Sequence, residues 1–104
     1  MENNFGISDQ SMELILKTIA GFTDIERVVI FGSRAMGTHA KGSDIDLAIY
    51  GSMLTKETAL NLAAKLNEEI PTPYFTDIVA PQYLNSPGLV QHIERVGQTI
   101  FTRT

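Results

Sequence analysis

Cysteine is absent from the 104 residues, which removes disulfides, a thiolate zinc site and a cysteine nucleophile together and gives no sign of an oxidising compartment. A cytoplasmic location is the expectation that follows. Positive charge is scarce: 8 Lys+Arg stand against 12 Asp+Glu, for a formal net charge of −4. Without a basic stripe to displace counterions, a non-specific duplex-DNA binder is disfavoured. Long apolar runs are missing too. Val28 to Phe31, the longest strongly apolar stretch, is far below the roughly 20 residues of a membrane span. The opening MENNFGISDQ has neither the basic nor the apolar region of a signal peptide. One core can form at this length, so residues 1–104 are expected to be a single domain. An enzyme of this size is expected to share its machinery with a second chain.

What is present reads as alternating helices and strands. Met12, Ile15, Leu16 and Ile19 follow helical spacing after a Ser8 or Ser11 cap and before Gly21. Val28 to Phe31 is a β-branched and aromatic run that stops at Gly32-Ser33, so a buried strand feeds a turn there. Residues 34–43 are loop-like, with Ser33 able to cap a short helical turn before Gly37. Ile45 to Tyr50 alternates as a second strand, with Ile45, Leu47 and Ile49 on a core face and Asp44, Asp46, Ala48 and Tyr50 on the other. Thr55 caps a helix carrying Ala59, Leu62, Ala63, Leu66 and Ile70, ended by Pro71-Thr72-Pro73. Tyr74 to Val79 predicts a third strand, Leu89 to Val96 a last helix stopped by Gly97, and Thr99 to Phe101 a short terminal strand. The expected fold class is α/β (α+β), a single small mixed sheet covered by helices.

Chemistry concentrates around the second strand. Asp44 and Asp46, two residues apart, put their carboxylates on one face with Cα atoms roughly 6.5–7 Å apart. Two such charges about 4 Å apart repel by on the order of 4 kcal/mol at an effective dielectric of 20, so the pair calls for a cation. Hard oxygen donors suit Mg²⁺ or Mn²⁺, which retain sites for phosphate oxygens. Asp77, on another strand, is the natural third carboxylate. Gly32 and Ser33 end the first strand where main-chain N–H groups can face a phosphate, and Arg34 and Lys41 are nearby cations. Cradle and acids together suggest a metal-nucleotide site in which two metals activate an attacking oxygen and stabilise the leaving group. His39 and His92 read as exposed or polar-face residues rather than ligands. Tyr50, on the acidic face, is either a base-stacking residue or a strand residue.

The run Phe31-Gly32-Ser33-Arg34-Ala35-Met36-Gly37, followed by Ser43-Asp44-Ile45-Asp46-Leu47-Ala48-Ile49, resembles the signature of the DNA polymerase β-like nucleotidyltransferase superfamily. The whole chain is similar to its minimal nucleotidyltransferase branch. The resemblance implies that Gly32 and Ser33 hold nucleotide phosphates, with Arg34 beside them, that Asp44 and Asp46 bind metal, and that Asp77 completes the site as ligand or base. It further implies transfer of a nucleoside monophosphate, AMP from ATP, to an acceptor hydroxyl, with two Mg²⁺ ions or Mn²⁺ as cofactor. The implied partner is a helical HEPN-type protein, as in toxin–antitoxin or split-enzyme pairs, with self-association left open. Many minimal members carry a second Arg where this chain has Met36. The alternative is a binding module of the same fold that masks a partner ribonuclease without turnover. Tyr83, Leu84 and Leu89 are candidates for the surface that a partner covers.

Overall fold

The computed structural model describes residues 3–103. Its elements run α1 (Asp9–Ala20), β1 (Arg27–Phe31), α2 (Gly32–Met36), β2 (Ile45–Tyr50), α3 (Lys56–Ala64), β3 (Thr76–Val79), α4 (Pro87–Val96) and β4 (Gln98–Thr102). The strands form one mixed sheet in the order β3-β2-β1-β4. β1 is antiparallel to both β2 and β4, whereas β2 and β3 are parallel. A parallel pair needs a crossover connection, and α3 supplies it.

The caps follow local chemistry. Ser8 rather than Ser11 starts α1, its hydroxyl accepting from the Ser11 N–H at 3.2 Å, and Thr55 does the same for Thr58 at the start of α3. The predicted helix to Ile70 changes pitch instead of running straight: α3 ends at Ala64 and Lys65–Glu69 continues as a π turn. This wider turn keeps Leu66 buried while presenting Asn67 to β3. The Asn67 carboxamide donates to the Thr76 carbonyl (2.8 Å) and accepts from the Thr76 N–H (2.7 Å), so it pairs with the outer edge of β3 as a neighbouring strand would. The strand itself is shorter than Tyr74 to Val79, because Tyr74 and Phe75 precede the first residue of the ladder.

Both faces of the sheet are covered. Ile15 and Ile19 of α1 with Leu62 and Leu66 pack on Val28, Ile30, Ile45, Leu47 and Ile49, which is the predicted core face. The opposite face, read as the one carrying Asp44, Asp46, Ala48 and Tyr50, also holds a second, smaller core of Val29, Phe31, Ala48 and Ile93, with Leu89 and Val96 of α4 against it. Leu89 therefore belongs to this packing, while Tyr83 and Leu84 are exposed. Among the described residues no helix is long and apolar enough to cross a membrane.

Candidate functional site

The acids gather where α4 leaves the second face open. Asp44 sits one residue before β2, Asp46 is the second residue of that strand, and Asp77 is the second residue of β3. The parallel register sets Asp46 directly beside Asp77, and the antiparallel register sets Phe31 on its other side. Asp44 and Asp77 are exposed and Asp46 is half-buried. Burial first, then the like charges of Asp77 and Asp44, push the Asp46 carboxyl above its ordinary value, while His92 pulls it down. Repulsion of this kind marks a set of hard oxygen donors suited to a divalent cation. As the side chains stand, no group of three His, Cys, Asp or Glu among the described residues converges on one point, so closing them on an ion requires carboxylate rotation.

Gly32 makes room for this arrangement. Its φ of +73° lies in the left-handed region, and a Cβ there would overlap Asp46 Oδ2 and come within 3.1 Å of Cγ. Ser33 follows as the second residue of α2. It does not cap that helix, because Phe31 occupies the capping position and no side chain closes the first turn. The first N–H groups of α2 thus lack a side-chain acceptor. Gly37, at φ +76°, ends the helix in the left-handed conformation and donates to the Ser33 carbonyl.

Arg34 does not face the acids. Its side chain is 2% exposed and donates to Ser43 O through Nε (3.0 Å) and Nη2 (2.7 Å), and through Nη1 to Phe5 O (2.8 Å) and Gly6 O (3.2 Å). The guanidinium also lies 4.9 Å from the Tyr74 ring centroid. Where the sequence expects Arg34 to meet a nucleotide, the structure fills its guanidinium fork with carbonyls, which tie the loop before Asp44 to the N-terminal segment. Lys41 and His39 line a cavity of about 510 Å³ with Arg34 and Tyr74, none of the three acids among its walls. The His39 ring lies against Gly6.

Two site-shaping residues escaped the sequence. His92 of α4 packs edge-on to Phe31, with centroids 6.1 Å apart and planes at 81°, and its charge reaches Asp46. Asn67 fixes the start of β3 and hence Asp77. Neither carries a local signal, since each acts on a strand nine or more residues away. Tyr50 is half-buried with Arg27 stacked 4.3 Å from its ring, so one of its faces is already covered.

A Gly-Ser turn, paired strand acids and a third acid in register are the arrangement that a nucleotidyl-transfer domain requires, and the family model for Polymerase beta, Nucleotidyltransferase matches residues 13–104. The chain belongs to the polymerase beta nucleotidyltransferase family. Its mixed sheet and flanking helices are the fold of that family. Similar solved structures include a toxin–antitoxin complex with AMP-PNP, 24% identical, covering 89% of this chain and 74% of that one at a TM-score of 0.72. A variant of the MntA-HpeT toxin–antitoxin pair is 22% identical, with the same coverages and a TM-score of 0.71. The complex of a tri-AMPylated Shewanella oneidensis HEPN toxin with MNT antitoxin is 21% identical, covering 90% and 71%, at a TM-score of 0.67. At these identities the likeness is one of fold. No curated protein matches this nucleotidyltransferase sequence.

Proposed function

We propose that this nucleotidyltransferase is a minimal, Mg²⁺-dependent enzyme that moves AMP from ATP to a hydroxyl on, or held by, a helical HEPN-type partner protein. The observation that carries the reading is the register of Asp46 beside Asp77, with Asp44 adding its charge to the same carboxyl and Gly32 opening the main chain beside them. Asp44, Asp46 and Asp77 are the residues that would hold a divalent cation, Mg²⁺ or Mn²⁺, two ions in the arrangement the acids suit best. The metal, when bound, supplies neutralisation of triphosphate charge and activation of the attacking oxygen.

The chain's own groups do the rest. The uncapped N–H groups at Gly32 and Ser33 and the Ser33 hydroxyl bind phosphate oxygens and orient the triphosphate. Asp77, exposed on the outer strand, takes the proton of the acceptor hydroxyl as its oxygen bonds to the α-phosphorus. The bond from that phosphorus to the β-bridging oxygen breaks, and pyrophosphate leaves in line. These residues are too acidic to grip a long duplex as well, which agrees with a protein or small-molecule acceptor. The partner class draws support from the toxin–antitoxin complexes that share the fold.

Incubation with α-labelled ATP and Mg²⁺, with and without a purified HEPN-type helical protein, tests the proposal. Label on protein that disappears in Asp44→Asn and Asp46→Asn is the expected result. Label that persists in both variants defeats the assignment. No label from the wild type, together with a stable complex that survives Asp44→Asn, would favour masking without turnover.

A further inference from the structure

A metal-nucleotide site handles a polyanion, yet the cations that the sequence offers for that task do not stand among the acids. Arg34 is enclosed by three carbonyls, Lys41 and His39 line a cavity without the acids, and position 36 carries an exposed methionine. One basic group stands over the site. His92 precedes Ile93, whose burial in the second-face core fixes the rotation of α4, and its imidazole meets the edge of Phe31. Phe31 is the register partner of Asp46 and the residue from which α2 begins. The ring therefore stands at the junction of the Gly32-Ser33 turn and the acids, half-exposed and, among the described residues, without a hydrogen-bond partner that would hold it.

We propose that His92 is the side chain that contacts the phosphate chain of the bound nucleotide, donating an imidazole N–H to a non-bridging oxygen and holding the triphosphate against the turn. This rests on the nucleotide-transfer reading above and assigns to α4 a role beyond packing. An imidazole suits the position because it offers a donor in both protonation states. Its edge contact with Phe31 restricts ring rotation, so little freedom is lost when a ligand arrives. A flexible lysine there would be drawn to the three carboxylates instead.

Calorimetric titration with Mn²⁺ alone, and with a non-hydrolysable ATP analogue in saturating Mg²⁺, separates the roles. His92→Ala is expected to weaken the analogue about tenfold while leaving Mn²⁺ affinity unchanged. His92→Gln, which keeps an N–H donor of similar reach, is expected to recover most of the analogue's affinity and guards against a folding defect in the alanine variant. Wild-type affinity for the analogue in His92→Ala overturns the inference, as does an equal loss of Mn²⁺ and analogue. If the wild type binds Mn²⁺ but no nucleotide, the transfer reading falls and takes this contact with it. A wild type that binds the analogue, and loses it on Asp46→Asn but not on His92→Ala, leaves that reading standing and defeats only the His92 contact.

Discussion

Replacing Arg34 perturbs the loop that delivers Asp44, and the size of the effect follows from its partners. The guanidinium makes four hydrogen bonds to three carbonyls, those of Phe5, Gly6 and Ser43, from a position that is 2% exposed. Hydrogen bonds with a charged donor contribute roughly 1.5–3 kcal/mol each, though bonds sharing one group do not add. Arg34→Ala strands the carbonyls and leaves a void beside Tyr74, so a loss of about 3–5 kcal/mol is expected, a large part of the roughly 5–15 kcal/mol that holds a domain of this kind. Arg34→Lys should lose at least about 2 kcal/mol, because one ammonium cannot span carbonyls on two sides as a planar fork does. In urea, a slope near 1.5 kcal/mol/M turns the alanine loss into a midpoint lower by about 2–3 M. Circular dichroism at graded urea reads this directly. If Arg34→Lys unfolds at the wild-type midpoint yet loses affinity for Mg²⁺ with an ATP analogue, the clamp is not what Arg34 is for, and a phosphate contact takes its place.

The acids give a prediction of opposite sign. The Asp46 carboxyl is raised by burial first and then by Asp77 and Asp44, so the folded chain holds this proton more tightly than the unfolded one. The group therefore favours the fold at low pH, and that stability is lost as pH rises through the raised value. Asp46→Asn should thus be the more stable protein at about pH 7, by under roughly 1 kcal/mol given solvent screening of a half-exposed group. Thermal melts should show the gap closing toward pH 4 and shrinking in high salt, and an asparagine variant less stable at neutral pH would refute the repulsion. Gly32→Ala places a Cβ on Asp46 Oδ2 from a φ of +73° and should cost about 1–3 kcal/mol. It should also weaken Mn²⁺ binding by displacing that carboxylate, and unchanged Mn²⁺ titration of a folded Gly32→Ala chain would count against the shared space.

Much of this is legible in the sequence. Alternation in Ile45 to Tyr50 predicted both the strand and the face of Asp46, because the period of two is a property of the backbone. The spacing of Gly32-Ser33 from Asp44 predicts one loop between adjacent strands, and the structure makes that pair antiparallel. The direction of Arg34 was not legible, since residue 34 of a five-residue helix faces whatever lies beyond it, and the Phe5-Gly6 segment that receives it is 28 residues or more away. His92 was hidden for a related reason: the helical stripe of α4 identifies Ile93 and Val96 as buried, but only the sheet order shows which strand lies beneath. The second core under α4 is masked by the acids of β2, since Ala48 shares their face and yet is fully buried. The π turn at Lys65–Glu69 has no sequence signature, because its purpose is Asn67's reach to Thr76.

The hydrogen bonds of Arg34 go to main-chain carbonyls, and that fact bears on how such a clamp is inherited. A carbonyl belongs to every amino acid, so Phe5 and Ser43 can be exchanged for other side chains without withdrawing their acceptors, whereas the guanidinium has no substitute of the same shape. The constraint is one-sided. Homologous chains would be expected to fix the arginine while its partners drift, leaving no correlated pair by which the contact could be inferred from sequences. A residue standing invariant beside a metal site invites a catalytic interpretation, and here the same invariance would arise from the geometry of one loop.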